Sequence, residues 1–149
     1  MQELKVIDRF ANEYEQLSNF YPVIIKFNNI NFPTVEHAFV ASKSIKPEFW
    51  YKISKLKSGQ AGKAKLMGRK IYLRKDWDLI KIARMKNFLL QKFSQNQFKE
   101  FILSTGDAKL IEGNYWHDNY WGDCKCKKCK KIIGQNQLGK LLMTIRSLL

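Results

Sequence analysis

Apolar and polar positions follow two rhythms along this chain, and the changes between them mark out its elements. Lys5-Val6-Ile7-Asp8-Arg9-Phe10 carries a short strand-like apolar run. Leu17-Ser18-Asn19-Phe20-Tyr21-Pro22 is a polar turn held between aromatics. Val23 to Phe27 and Ile30 to Phe32 then flank Asn28-Asn29. Asparagine tolerates the positive φ that a tight hairpin needs, so the pattern predicts a β-hairpin here.

From Pro33 onward the period lengthens to that of a helix. Thr34 is a good N-cap, and Glu36 in the first turn meets the positive end of the helix dipole. Val35, Phe39 and Ser42 trace one face, while Glu36, Val40 and Lys43 trace its neighbour. Glu36 and Lys43 therefore project from the same side, and taken alone they read as a cap with a solvated charge pair. His37 points about 100° away from Glu36, as a core or supporting histidine.

Pro47 can start a second helix, with Phe49, Ile53 and Leu56 inward and Gly59 as its stop. Residues 60–73 hold Gly62, Gly68 and Arg69 and predict a weaker helical turn able to approach a ligand closely. Asp76 caps a long helix with a core stripe of Leu79, Ile82, Met85, Leu89 and Phe93. Phe98, Phe101 and Ile102 mark one more short helix before Gly106. Asn136 caps the last helix, with Leu138, Leu141, Leu142, Ile145 and Leu148 on its buried face. The expectation is one compact α+β domain over residues 1–149, mostly helical, with a small antiparallel β-sheet.

Composition narrows the setting. With 149 residues and 45% of them hydrophobic, the chain suits a folded core and not a disordered tail. No apolar run reaches the length of a membrane span, and Met1-Gln2-Glu3-Leu4-Lys5 shows no leader pattern, which places the chain in the cytosol. Lys and Arg number 27 against 13 Asp and Glu, a formal +14. A field of that size attracts phosphate and speeds encounter with polyanions. The lysines are spread along the chain, so the charge predicts a phosphate-bearing partner without naming nucleic acid.

Between Gly106 and Gly122 lie three carboxylates, with Tyr115, Trp116, Tyr120 and Trp121 around His117 and Asp118. Wide aromatic faces mixed with acids suit a pocket where a base stacks while a carboxylate works on the adjacent sugar. The plainer reading is a surface loop anchored by its aromatics. Asp107, after Thr105-Gly106, reads as the start of a turn.

Six blocks occur in order: Leu17 to Pro22, Pro33-Thr34-Val35-Glu36-His37, Arg74 to Asp78, Ser104 to Asp107, Asp118-Asn119-Tyr120-Trp121-Gly122, and Asn136 to Met143. Together they resemble the NADAR family, the YbiA-like N-glycosidases, from Phe10 to Arg146. The resemblance implies a mainly helical α+β fold and hydrolysis of a C–N glycosidic bond at a ribose, with no metal in the chemistry. Two substrate classes come with it: ribosylamino-pyrimidine phosphates early in riboflavin synthesis, and ADP-ribose on guanine, including guanine in DNA. By motif, Glu36 and Asp118 correspond to the acidic residues of the site. Asn19, Phe20, Lys43, Trp77, Trp121 and Lys140 fall in or near the same blocks and are the candidate substrate-binding residues. The residue types suit such a reaction, since carboxylates stabilise an oxocarbenium ion and align water, lysines hold phosphates, and an indole stacks on a base.

The chain departs from the shorter family pattern at Asp123 to Ile133, a Cys-rich loop inserted after Trp121-Gly122. Cys124, Cys126 and Cys129 form Cys-x-Cys-x₂-Cys, with His117 seven residues upstream as a fourth ligand. Three thiolates and an imidazole suit tetrahedral zinc, and the five lysines from Lys125 to Lys131 offset thiolate charge. Cys-x-Cys is tighter than usual finger spacing, so free thiols in a basic loop are the alternative. An odd, clustered set of cysteines argues against a disulfide framework. Two non-enzymatic readings stand beside the hydrolase: a basic nucleotide- or nucleic-acid-binding module, and a zinc-stabilised interaction domain.

Overall fold

The computed structural model describes residues 3–149, so Met1 and Gln2, on which the leader reading draws, lie outside the described residues. In chain order the elements are β1 (Val6–Ile7), a 3-10 helix (Asn12–Leu17), β2 (Ile25–Phe27), β3 (Ile30–Phe32), α1 (Val35–Ala41) and α2 (Pro47–Ser54). A 3-10 turn (Ser58–Gln60), α3 (Ala61–Gly68), α4 (Trp77–Phe93) and α5 (Asn96–Ser104) follow. The chain continues with β4 (Lys109–Leu110), β5 (Gly113–Asn114), β6 (Asp123–Cys124), a 3-10 turn (Lys127–Cys129) and α6 (Gln137–Leu148). The architecture is α+β and mainly helical, as expected. Backbone packing sorts it into two compact units: Asn19–Gln95, and the segment up to Ser18 together with Asn96–Leu149.

The unit Asn19–Gln95 begins with the expected hairpin. Asn28 (φ 49°) and Asn29 (φ 61°) both take the left-handed conformation of a two-residue hairpin turn. They set the register Ile25↔Phe32 and Phe27↔Ile30. The hairpin presents Ile25, Phe27 and Phe32 to the core. Against it lies α1, whose seven residues are all buried, because α2, α3, α4 and both strands pack around it. Helix α3 comes close at Gly68, where a Cβ would lie 2.9 Å from Val40 Cγ1. The close approach expected of that segment is thus made to helix α1.

Two stripes differ from expectation in this unit. Helix α2 ends at Ser54, before Leu56 and Gly59, and the Leu56 amide closes its last turn on Ile53. On α4 the buried side chains are Trp77, Met85, Phe88, Leu89, Lys92 and Phe93, whereas Leu79 is 88% exposed and Ile82 is also exposed. At about 100° per residue Leu79 stands about 200° around the helix from Trp77, so once the indole is turned inward Leu79 faces solvent. Asp76 sits at the start of α4 without bonding it through its side chain; Arg74 holds that carboxylate at 2.6 Å.

Lys92 is fully buried, with its ammonium 5.8 Å from the Tyr21 ring centre and 5.2 Å from that of Phe93. Burial drives its pKa from 10.5 down to about 7.

In the other unit, β1 pairs parallel with β4 (Val6↔Lys109, Ile7↔Leu110), and β5 pairs parallel with β6 (Gly113↔Asp123, Asn114↔Cys124). The hairpin is therefore the one antiparallel pair among the described residues. β1 falls in the strand-like run at Lys5 to Phe10, whereas β4, β5 and β6, two residues each, carry too little periodicity to be read in advance. Helix α5 buries Phe98 and Ile102 and stops at Gly106 (φ 62°). Helix α6 buries Leu138, Gly139, Leu142 and Ile145, while Leu148, in its last turn, is exposed.

Asn136 precedes α6 in the left-handed conformation (φ 51°) and makes no side-chain cap. Its amide instead accepts from the Glu112 N–H at 3.0 Å and donates to the Leu110 carbonyl at 2.9 Å. Gly139 completes this approach, since a Cβ there would run into the Leu110 carbonyl oxygen.

Gly139→Ala is expected to destabilise the protein by about 3 kcal/mol in urea unfolding, because the added methyl meets backbone that cannot yield. Helix propensity alone would give the opposite sign, so a gain in stability would remove the close approach. Lys92 gives a pH signature. Between about pH 7 and 10.5 the unfolded lysine is protonated and the buried one is not, so its contribution to stability improves as pH rises through that window. Lys92→Met should be more stable than wild type at neutral pH, with the difference shrinking toward pH 10.

Candidate active site and metal-ligating loop

Within Asn19–Gln95 the candidate residues gather around the start of α1. Glu36 is only 8% exposed, and its amide donates to the Asn19 carbonyl at 3.1 Å, which ties the Leu-Ser-Asn-Phe segment to the helix. Thr34 accepts the His37 amide at 3.1 Å as the expected N-cap. The His37 ring is fully buried: Nε2 donates to the Lys57 carbonyl at 3.1 Å, and Nδ1 faces the Thr34 hydroxyl at 2.6 Å. Burial holds its pKa below the ordinary histidine value. His37 is thus a neutral supporting residue behind Glu36.

Lys43 follows α1 and is half-buried. Burial lowers its pKa, attraction to Glu36 opposes that, and repulsion from Lys65 and Arg69 adds to the lowering. Lys43 therefore shares its surroundings with one nearly buried carboxylate and two further cations. The Lys43 ammonium also lies 5.6 Å from the Phe39 ring centre, and Phe39 packs on Trp77 with centroids 5.0 Å apart. The Lys43 carbonyl accepts the Arg74 amide at 2.9 Å, holding the Arg-Lys-Asp-Trp block in place.

Asn19 is buried, with Nδ2 donating to Met85 Sδ at 3.5 Å and Oδ1 unpartnered among the described residues. Phe20 is exposed, and its ring lies 4.0 Å from where a Cβ on Gly62 would stand. Asn19, Glu36, Lys43 and Trp77 are thus linked into one neighbourhood. Phe39, Lys65 and Arg69 join it without having been singled out as site residues. The i, i+4 spacing of the two cations was the signal for Lys65 and Arg69.

In the other unit, Asp118 Oδ1 accepts the amides of Tyr120 at 3.1 Å and Trp121 at 2.9 Å. Trp121 is half-buried and meets Tyr120 edge-on at 4.9 Å. Its carbonyl accepts the Leu138 amide at 2.9 Å, at the beginning of α6. Lys140 is exposed in the first turn of that helix. Asn114 is the organiser that sequence reading missed. It is buried, accepts the Trp116 and Asp118 amides at 3.2 Å each, and donates to the Asp118 carbonyl at 2.8 Å.

His117, Cys124, Cys126 and Cys129 come together as predicted, with one ligand atom from each lying within 4.8 Å of the others. His117 Nδ1 is 3.3 Å from the sulfurs of Cys126 and Cys129 and 4.0 Å from that of Cys124. Bond lengths of about 2.0–2.3 Å to a tetrahedral ion put ligand atoms about 3.5–3.8 Å apart, so the set can hold a metal. His117 takes the left-handed conformation (φ 69°) that turns its ring into the cluster. Its amide donates to Cys124 Sγ at 3.3 Å. Asn119 accepts the Cys124 amide at 2.9 Å and also bonds the Cys129 thiol, a supporting shell around the ligands. Burial pushes the Cys126 thiol up, but hydrogen bonds from Cys124, Cys129 and Lys128 outweigh it and bring the pKa to about 7.

A family model described as the NADAR domain matches residues 7–149. The N-glycosidase YbiA of Escherichia coli K12 is 34% identical over 137 residues, covering 91% of this chain and 82% of its own. An N-glycosidase of Nostoc punctiforme is 35% identical, covering 89% of this chain and 84% of its own. A riboflavin biosynthesis protein of Vibrio vulnificus is 32% identical over 87% of this chain and 34% of its own length. The NMR structure of E. coli YbiA superposes with a TM-score of 0.82 at 31% identity, over 99% of this chain and 86% of that one. A fold and motif set of this kind defines the NADAR class of domains. This chain belongs to the NADAR family.

Proposed function

We propose that this chain is an N-glycosidase that hydrolyses the C–N bond between a ribose and a base, with ADP-ribosylated guanine as favoured substrate. The observation that carries the reading is Glu36: a carboxylate 8% exposed, held beside Lys43 with Lys65 and Arg69 in the same field. A pure phosphate binder gains nothing from an acid in that place, whereas a glycosidase needs one. Breaking the bond sends its electron pair to the base nitrogen and builds oxocarbenium character on the ribose, which the Glu36 carboxylate stabilises. Glu36 also aligns the water whose oxygen bonds to the ribose carbon, and takes its proton. Asp118 is the second acid we assign, and a proton from it or from a bound water neutralises the departing base. Lys43 serves the phosphates; Asn19, Phe20, Trp77, Trp121 and Lys140 are assigned to substrate contact.

The formal +14 and the cations around Glu36 favour a polyphosphate or nucleic-acid-linked substrate. A second reading, action on ribosylamino-pyrimidine phosphates, draws support from the Vibrio vulnificus relative named for riboflavin biosynthesis. We assign structural zinc to His117, Cys124, Cys126 and Cys129. Four protein ligands leave no open position on the ion, so it supplies order to the loop and not chemistry. No helix among the described residues is long and apolar enough to cross a membrane. The free thiols suit a reducing compartment, and the cytosol is the location we assign.

Wild type incubated with ADP-ribosylated guanine DNA should release free ADP-ribose and leave unmodified guanine in the strand, both detected by mass spectrometry. Glu36→Gln should lower that rate by about 10³ while still binding the substrate. Failure of wild type to cleave either this substrate or a ribosylaminouracil phosphate, with binding equal in both proteins, would leave a binding module in place of the enzyme. Elemental analysis should find one zinc per chain, lost together with thermal stability in Cys126→Ala. Purified protein without metal would end the zinc assignment.

A further inference from the structure

The loop that carries the metal ligands also carries dense positive charge and two exposed rings. Tyr115 and Trp116 are 62% and 54% exposed. They leave the end of β5 on a fixed backbone, since Asn114 Oδ1 holds the Trp116 amide at 3.2 Å. The next residue, His117, stands 3.3 Å from the sulfurs of Cys126 and Cys129. Lys127 and Lys128 lie between those two cysteines, Lys130 and Lys131 follow at once, and all four are exposed. Lys125 is different, being paired with Asp8 at 2.6 Å. The salt bridges among the described residues involve none of the other four.

Aromatic faces beside unneutralised lysines are what proteins use to hold single-stranded nucleic acid: the rings stack bases and the cations follow the phosphates. A duplex hides its base faces and gives the rings no partner. An acidic protein would engage the lysines but leave the two rings in water. We propose that residues 115–131 form a docking surface for single-stranded nucleic acid, with Tyr115 and Trp116 stacking bases and Lys127, Lys128, Lys130 and Lys131 meeting phosphates. The surface deepens the reading of a base carried in nucleic acid, and rests on it only for the link between docking and turnover.

The test is fluorescence anisotropy of a labelled oligothymidine titrated with the zinc-loaded full chain at several salt concentrations. In the Lys127→Gln, Lys128→Gln, Lys130→Gln, Lys131→Gln variant, the slope of log K against log salt should fall by about 3, since each lost phosphate contact is worth about 0.7. Trp116→Ala and Tyr115→Ala should each weaken binding about tenfold at fixed salt. Zinc content and thermal midpoint report whether each variant keeps the loop folded, and the two aromatic variants test stacking independently. An unchanged salt slope, wild-type affinity in both aromatic variants, or equal binding of duplex DNA or polyglutamate would overturn the proposal. Turnover of a free nucleotide substrate should be unchanged in the quadruple variant. If wild type cleaves nothing yet the binding losses appear, the hydrolase reading fails and the docking surface stands; cleavage with no binding losses gives the reverse.

Discussion

A carboxylate kept almost out of water is the constraint on which the arrangement of Asn19–Gln95 depends. Burying an ionised acid costs several kcal/mol unless charge and hydrogen bonds answer it. Lys43 answers the charge electrostatically, and the Asn19 carbonyl fixes the Glu36 backbone by taking its amide. Thr34, His37 and the Lys57 carbonyl satisfy one another behind it. A neutral histidine there adds no positive charge to the site. The apolar surround is equally directed: α1 can be buried on every side because Gly68 lets α3 close upon Val40. The polarity of the site is thus concentrated on one acid and the cations near it.

The second unit obeys a different constraint, the placement of a loop with little regular structure of its own. Asn114 stands in for a missing ladder, accepting two amides and donating to a carbonyl while its strand pairs with β6. That pairing puts Asn114 opposite Cys124, so the organiser of the aromatic loop and one candidate metal ligand share a register. Asp118 sits on the same framework, its Oδ1 tied to two amides and its preceding residue among the candidate metal ligands. Side-chain hydrogen bonds from Asn114 and Asp118 thus hold non-repetitive backbone here, beside four residues that could hold a metal ion.

Much of this was legible in advance wherever a short-range rule governs. Asn28-Asn29 specified a hairpin because few residues tolerate two successive left-handed conformations. Thr34 specified the start of α1, and Cys-x-Cys-x₂-Cys with His117 specified a cluster of ligands. The ordered blocks placed the chain in its family, and Glu36 with Lys43 on one side of α1 followed from helical spacing. In each case the energy that decides lies within a few residues of chain, so local order carries the information.

Tertiary structure alone decided the rest. Leu79 and Ile82 have the spacing of a core stripe, but which face of α4 turns inward was settled by Trp77 packing on Phe39, far away in sequence. Asn136 has the composition of an N-cap, yet its side chain bonds β4 because α6 closes on that strand at Gly139. The parallel pairing of β1 with β4 and the near-complete burial of Glu36 are likewise properties of distant segments meeting. Side-chain periodicity states which surfaces want to be covered. Only the closed chain determines what covers them, since that choice is made by packing between elements and leaves no local trace.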